Sequence, residues 1–130
     1  MIDDMGIFRT TIEVAHAARP DDRRKLADVM VDTGSEYNWL PVSLLEELRV
    51  APVRVDRFLT ADGRVLTREI GYVLLYVGGR STATMAAFAR EGDLVLLGAH
   101  GLEGLNLRVD LVTKELVPAG PLPAAGIRAA

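Results

Sequence analysis

Residues 25–35 read Lys-Leu-Ala-Asp-Val-Met-Val-Asp-Thr-Gly-Ser. A largely apolar stretch over 25–32, which predicts a strand, runs directly into Asp32-Thr33-Gly34-Ser35. An Asp-Thr-Gly triplet alone is a weak signal, because Asp and Gly are common in turns. Its meaning comes from what surrounds it. Upstream, over residues 5–17, Phe8, Thr10, Ile12 and Val14 alternate with Arg9, Thr11 and Glu13, the mark of a strand with two distinct faces. Arg19-Pro20-Asp21-Asp22 between the two segments is a turn, since proline presets φ and aspartate accepts local backbone bonds. Downstream, Pro41–Leu48 predicts a short helix with Pro41 in its first turn. Residues 53–60 and 64–77 predict strands around Asp62-Gly63, and Asp-Gly between apolar runs is a strong hairpin signal. Gly78-Gly79 marks a turn into a strand near 81–89, and Arg90–Asp93 marks another. Leu94-Val95-Leu96-Leu97 is short and continuous enough to be a fully buried strand. Ala99–Leu105 predicts one or two helical turns, weakened by Gly101 and Gly104. Residues 107–112 and 115–118 predict a last hairpin. Many short strands with regular turns mean a closed or nearly closed β structure.

Composition narrows the function classes. A length of 130 residues suggests one domain. With 49% hydrophobic but only 5% aromatic residues, the core must come mainly from Val, Leu, Ile, Ala and Met. A net charge of −3 argues against a nucleic-acid partner, which calls for a clustered basic face. The basic group Arg19, Arg23, Arg24, Lys25 is interrupted by Asp21 and Asp22 and reads as a solvated turn. The absence of cysteine excludes disulfides, thiolate catalysis and Cys-based zinc sites. His16 and His100 stand far apart, so no metal is expected, and no cofactor motif is present. No Gly-x-Ser-x-Gly occurs, and Gly98, Gly101 and Gly104 match neither a P-loop nor a dinucleotide fingerprint. No signal peptide or membrane-length apolar run is visible, so a soluble cytoplasmic protein with no membrane partner is expected.

Three features therefore occur in order: a strand ending in Asp32-Thr33-Gly34-Ser35, a hairpin tipped by Asp62-Gly63, and Leu96-Leu97-Gly98 before a short helix. This pattern resembles the retropepsin-like (retroviral-type, clan AA) aspartic proteases, especially the small bacterial single-domain members, over residues 5 to 118. The resemblance implies a mainly β fold, a single-lobe acid protease barrel with one or two short helices. It divides the chain into a protease domain over 1–118 and a Pro/Ala/Gly-rich tail over 119–130, expected to be loose at its end. It also implies an aspartic endopeptidase acting on a peptide or protein substrate, with Asp32 catalytic and no metal or cofactor.

Metal-free hydrolysis of an amide without a covalent intermediate needs a base to activate water and an acid to protonate the products. Two carboxyl groups sharing one proton supply both, because like charges held close cannot both ionise. One Asp-Thr-Gly on one lobe leaves the second carboxylate to another copy, so a C2 homodimer is expected with the Asp32 pair at its axis. By the same resemblance, Thr33 hydrogen-bonds across that axis and Gly34 allows close backbone approach. Ser35 donates to Asp32, so that Ser35→Ala moves the upper limb of an acidic pH–rate profile toward neutrality. Leu96, Leu97 and Gly98 support the loop, and Glu36, Tyr37 and Trp39 lie where substrate pockets are built. Ala61, Asp62 and Gly63 form a flap that closes over substrate. The chain departs from the family at Ala99, where viral members often carry an arginine, and at His100, where Asp or Asn is common. Arg9 is the candidate substitute partner for Glu36, and His100 is expected to have a surface or helix-cap role. Two other readings stay open: a non-catalytic retropepsin-fold binding or dimerisation domain, and a β-barrel ligand-binding domain unrelated to proteases.

Overall fold

Alternation of apolar and polar side chains sets the first pair of strands. In the computed structural model, which describes residues 8–124 and 126, β1 (Arg9–Ala15) buries Ile12 and Val14 completely while Thr11 faces solvent. Residues 5–7 of the expected strand lie outside the described residues. β1 pairs antiparallel with β2 (Arg24–Val31), and the register slips between Thr10 and Ile12. The extra residue lies in β2, where Asp28 takes φ 56°. Such a bulge bends its strand and strengthens its twist, and here it precedes Val29, Met30 and Val31 on the approach to Asp32.

After the Asp32 turn comes β3 (Asn38–Pro41), a strand the sequence did not predict. Helix α1 (Val42–Glu47) follows, so Pro41 caps the helix and closes the strand rather than occupying the first helical turn. β4 (Arg54–Leu59) and β5 (Val65–Val77) make the expected hairpin, with Leu59 opposite Val65 at its tip. β6 (Arg80–Ala89) returns along the second half of β5. The expected strand at 94–97 shrinks to β7 (Leu96–Leu97): Leu94 is 64% exposed, Val95 is partly buried against the core, and Leu96 and Leu97 are buried. Helix α2 (Ala99–Leu105) ends at Asn106 in the left-handed conformation. The hairpin β8 (Leu107–Asp110) and β9 (Glu115–Pro118) is the last regular structure among the described residues. The start of the tail is tied to Asn106, which accepts from Ala119 N at 2.9 Å and donates to Gly120 O at 3.0 Å.

Seven strands form one sheet in the order β1-β2-β7-β3-β6-β5-β4, and β1 also pairs with β5. That pairing closes six strands into a ring and leaves β4 outside it. The result is mainly β, one barrel with two short helices, the fold class expected from the sequence. Its interior is filled by Ile12, Val14, Val29, Leu40, Val73, Leu75 and Leu97, with Leu45 from α1 and Leu102 and Leu105 from α2 packed on the same cluster.

Two-residue β7 has an unusual place. It runs parallel to β2 (Met30 beside Leu96, Val31 beside Leu97) and antiparallel to β3 (Trp39 beside Leu96). The chain entering the Asp32 turn and the chain leaving it therefore flank the same short strand. The glycines that matched no nucleotide motif have a packing reason. A Cβ on Gly98 would stand 2.7 Å from Ser35 O, one on Gly101 would stand 2.6 Å from Leu97 Cδ1, and one on Gly104 would stand 2.9 Å from Thr82 Cβ. Their spacing puts all three on one side of α2, where it lies against the loop and β6.

Gly101→Ala therefore gains helix propensity but overpacks this contact. Overpacking of a tight core costs about 1–3 kcal/mol against a gain of about 1 kcal/mol in propensity. The expected outcome is a lower urea midpoint at unchanged m-value. A raised midpoint would show that α2 has room to shift.

Candidate functional site

The Asp32 turn is built almost entirely from backbone bonds. Val31 N donates to Phe8 O at 2.8 Å and Asp32 N to Leu97 O at 3.0 Å. Ser35 N closes the turn on Asp32 O at 3.2 Å. The Asp32 carboxylate, half-buried, accepts from Gly34 N at 2.9 Å, a charge-assisted bond that fixes its rotamer. From the other side, Ala99 N donates to Ser35 O at 2.7 Å and His100 N to Glu36 O at 3.0 Å.

Ser35 does not do what the sequence led us to expect. Its hydroxyl donates to Tyr37 O at 2.9 Å, bracing the turn, and not to Asp32. The expected acid shift carried by that hydroxyl therefore loses its physical basis. His100 is exposed, in the first turn of α2, with its ring 5.4 Å from that of Tyr37. Arg9 reaches Asp28 O at 3.4 Å within the same chain. Thr33 is exposed at the edge of a second groove of about 850 Å³, shared with Asp32 and walled by Phe8, Met30, Leu102 and Leu107.

Asp32 also opens onto a cleft of about 810 Å³. The loop supplies one wall through Gly34, Ser35, Glu36, Tyr37 and Trp39. The β4–β5 hairpin supplies another through residues 56–61, Arg64 and Leu66, and Gly92–Leu94 with Leu96 complete it. Ala61 lines the cleft, whereas Asp62 and Gly63 project at the exposed tip. Gly63 takes φ 86°, which a side chain would strain. The tip is bonded to itself. Thr60 N donates to Arg64 O at 2.8 Å, Gly63 N to Thr60 O at 3.0 Å, and Arg64 Nε to Asp62 Oδ2 at 3.0 Å. The Thr60 hydroxyl, with Arg64, holds the Asp62 carboxyl below the usual range.

Several residues of this site escaped the sequence reading. Phe58 packs edge-on against Trp39 (centroids 4.9 Å) and Tyr37 (5.6 Å), joining the hairpin to the loop. Tyr37 Oη also donates to Asp56 Oδ2 at 3.3 Å, Arg54 Nε bonds the same oxygen at 3.0 Å, and Arg54 reaches the Tyr37 hydroxyl. The signal was the two-residue alternation in β4, which puts Arg54, Asp56 and Phe58 on one face. Arg68 and Asp93 form a two-pronged ion pair, Nε to Oδ2 at 2.6 Å and Nη2 to Oδ1 at 2.9 Å, with side chains 15% and 9% exposed. It ties the hairpin to the 90–93 turn, and only tertiary folding brings residues this distant in sequence together. Asn38, fully buried, also escaped the sequence reading. Among the described residues no three His, Asp or Glu side chains are placed to hold a metal ion, and no helix is long and apolar enough to cross a membrane.

No protein-family model matches this sequence, and no curated protein matches it. Among solved structures the chain is similar to the solution structure of Simian Foamy Virus (mac) protease. The identity is 19% and the TM-score 0.49, over 72% of this chain and 92% of that one.

The Arg68–Asp93 pair has a defined pH dependence. The Arg68 guanidinium, then the Arg90 backbone amide, hold the Asp93 carboxyl below its ordinary range against the opposing effect of burial. The unfolded carboxyl titrates near about 3.9. The stabilisation is thus complete above that value and is lost as pH falls through the lower folded value. Asp93→Asn leaves Arg68 without its counter-charge, which costs on the order of 3 kcal/mol near neutral pH, the low end for a buried pair. Urea titrations near neutrality and near pH 2 should show the gap between wild type and variant closing in acid. A gap of constant size would remove the pair's claim to that role.

Proposed function

We propose that this chain is one subunit of an aspartic endopeptidase whose reacting groups are Asp32 and Asp32 of the partner subunit. The observation that carries the reading is the Asp32 carboxylate, oriented by the Gly34 amide at the mouth of a cleft roofed by a hairpin. In this reading an extended peptide lies in the cleft with its scissile carbonyl over the two carboxyls. The ionised carboxylate takes a proton from water as its oxygen attacks the carbonyl carbon, and the protonated carboxyl donates to the carbonyl oxygen. The pair then passes that proton to the amide nitrogen, and as the C–N bond breaks a hydroxyl of the tetrahedral intermediate returns its proton to the pair, which is left with one shared proton.

The other residues take supporting roles. Thr33, exposed beside Asp32, fixes the two loops against each other across the dimer axis. Leu96, Leu97 and Gly98 hold the loop from beneath, and Tyr37 and Trp39, with Phe58, offer apolar walls to substrate side chains. The β4–β5 hairpin is the lid. β4 and residues 65–69 of β5 lie beyond the ring pairings and are joined to the loop through half-exposed contacts, so this part of the hairpin can move without opening the barrel.

Two measurements test this together. Asp32→Asn keeps the size of the side chain but removes the base, so peptide cleavage should fall by about 10²–10⁴-fold or more, with the thermal melt of the wild type retained. Sedimentation of the wild type at micromolar concentration should give a dimer. Cleavage undiminished in the pure variant, or cleavage by a strict monomer, would overturn the mechanism. A dimer that binds peptides without cutting them would favour the non-catalytic reading.

A further inference from the structure

We propose that Asn38 is a positioning residue for Asp32, acting through the backbone amide of Gly98; the inference rests on the endopeptidase reading for its catalytic consequence. Asn38 is the one buried polar side chain among the described residues, with no exposed surface. A buried amide is tolerated only when its donors and acceptors are matched. Its Oδ1 accepts from Gly98 N at 3.0 Å, and its Nδ2 donates to Met85 O at 2.9 Å and reaches Thr84 Oγ1 at 3.3 Å. The partners fix which end is which, because Gly98 N can only donate and Met85 O can only accept.

The consequence follows from what Gly98 adjoins. Leu97 O receives the Asp32 amide, while the amides of Ala99 and His100 donate to Ser35 O and Glu36 O. Residues 97–100 thus hold both the entry to the turn and its return. Gly98 sits at the centre of this segment, where a Cβ would run into both Tyr37 O and Ser35 O. The one side-chain bond on that centre comes from Asn38, which lies on β3, the strand leaving the same turn. The Asp32 loop is therefore locked as a closed circuit: from Asp32 to Leu97, along the chain to Gly98, through Asn38 into β3, and back along the backbone to Asp32. The Nδ2 bond to Met85 O anchors that circuit to β6 in the barrel wall. Gly101 leaves the space that the Asn38 carboxamide occupies, since a Cβ there would stand 3.2 Å from Asn38 Cγ.

A purely structural role and a positioning role make different predictions in two variants. Asn38→Asp keeps an acceptor for the Gly98 amide but sets a buried carboxylate against Met85 O, so it should be the less stable. Asn38→Leu has a similar volume, carries no charge and removes the acceptor. If Asn38 works through Gly98, Asn38→Leu should lose kcat by about 100-fold with KM nearly unchanged, the size expected of a small misplacement of the reacting group. Asn38→Asp should retain most of kcat despite its lower melting temperature. Activity that simply follows stability in both variants would overturn the proposal.

Amide hydrogen exchange gives a readout independent of cleavage. In Asn38→Leu, exchange at Asp32, Ala99 and His100 should accelerate more than at Ile12 and Val14 in β1. Uniform acceleration would also overturn the proposal. If the wild type cleaves no peptide, the endopeptidase reading fails, and the exchange pattern alone decides whether Asn38 sets the loop.

Discussion

Everything at the candidate site depends on one close crossing of two backbones, that of Gly98 beneath Ser35–Tyr37. A Cβ at Gly98 has no room there, so the crossing is available to glycine alone. Because the chains approach so closely, the amides and carbonyls of 97–100 reach those of 32–36 without any side chain between them. Backbone groups are a good choice for such a task. They have no rotamers to lose, and each one left unpaired in the interior would be costly. The Asp32 carboxylate inherits its position from this framework, and the Gly34 amide sets its final orientation.

The closed ring and the hairpin divide rigidity from mobility. The ring strands β1, β2, β7, β3, β6 and β5 have neighbours on both sides, and their inward side chains fill the common core. Among the described residues β4 has β5 as its one partner strand. What steadies the hairpin is local: the Phe58 contact with Tyr37 and Trp39, the Arg54–Asp56–Tyr37 cluster, and the Arg68–Asp93 pair at its base. The first two are partly exposed and the last is nearly buried. Asp56 stands opposite Arg68, so the exposed cluster and the nearly buried pair both grip the hairpin near its base, whereas Thr60, Asp62, Gly63 and Arg64 at the tip bond to one another.

Much of this was legible in the sequence, and the reasons are specific. Period-two alternation in β1 and the Asp62-Gly63 turn are local signals, and local signals dictate local structure. Asp32-Thr33-Gly34 and Leu96-Leu97-Gly98 were linked by the resemblance to the retropepsin-like proteases and not by any local signal. β3 was not legible, since Asn38-Trp39-Leu40-Pro41 is too short to show a period and its partners are β6 and the two-residue β7. Leu94 looked like core because it continues an apolar run, yet tertiary placement turns it outward. The Ser35 hydroxyl had two acceptors within reach of a tight turn, and composition cannot choose between a carboxylate and a nearby carbonyl. Asn38 looked like any polar residue between aromatics, because only the fold shows that Gly98, Met85 and Thr84 converge on it.

The parallel pairing of β2 with β7 also orders events in time. Val31 lies beside Leu97, and Asp32 N depends on Leu97 O. These partners are far apart along the chain, and contacts of that kind form late because a long loop must close first. During synthesis the residues around Asp32 emerge early, but the segment that holds their turn emerges only after β1 to β6 are complete. A nascent chain thus carries its carboxylate in an unsupported loop until translation passes residue 100. Assembly of the Asp32 turn is in this way deferred until nearly the whole barrel is present.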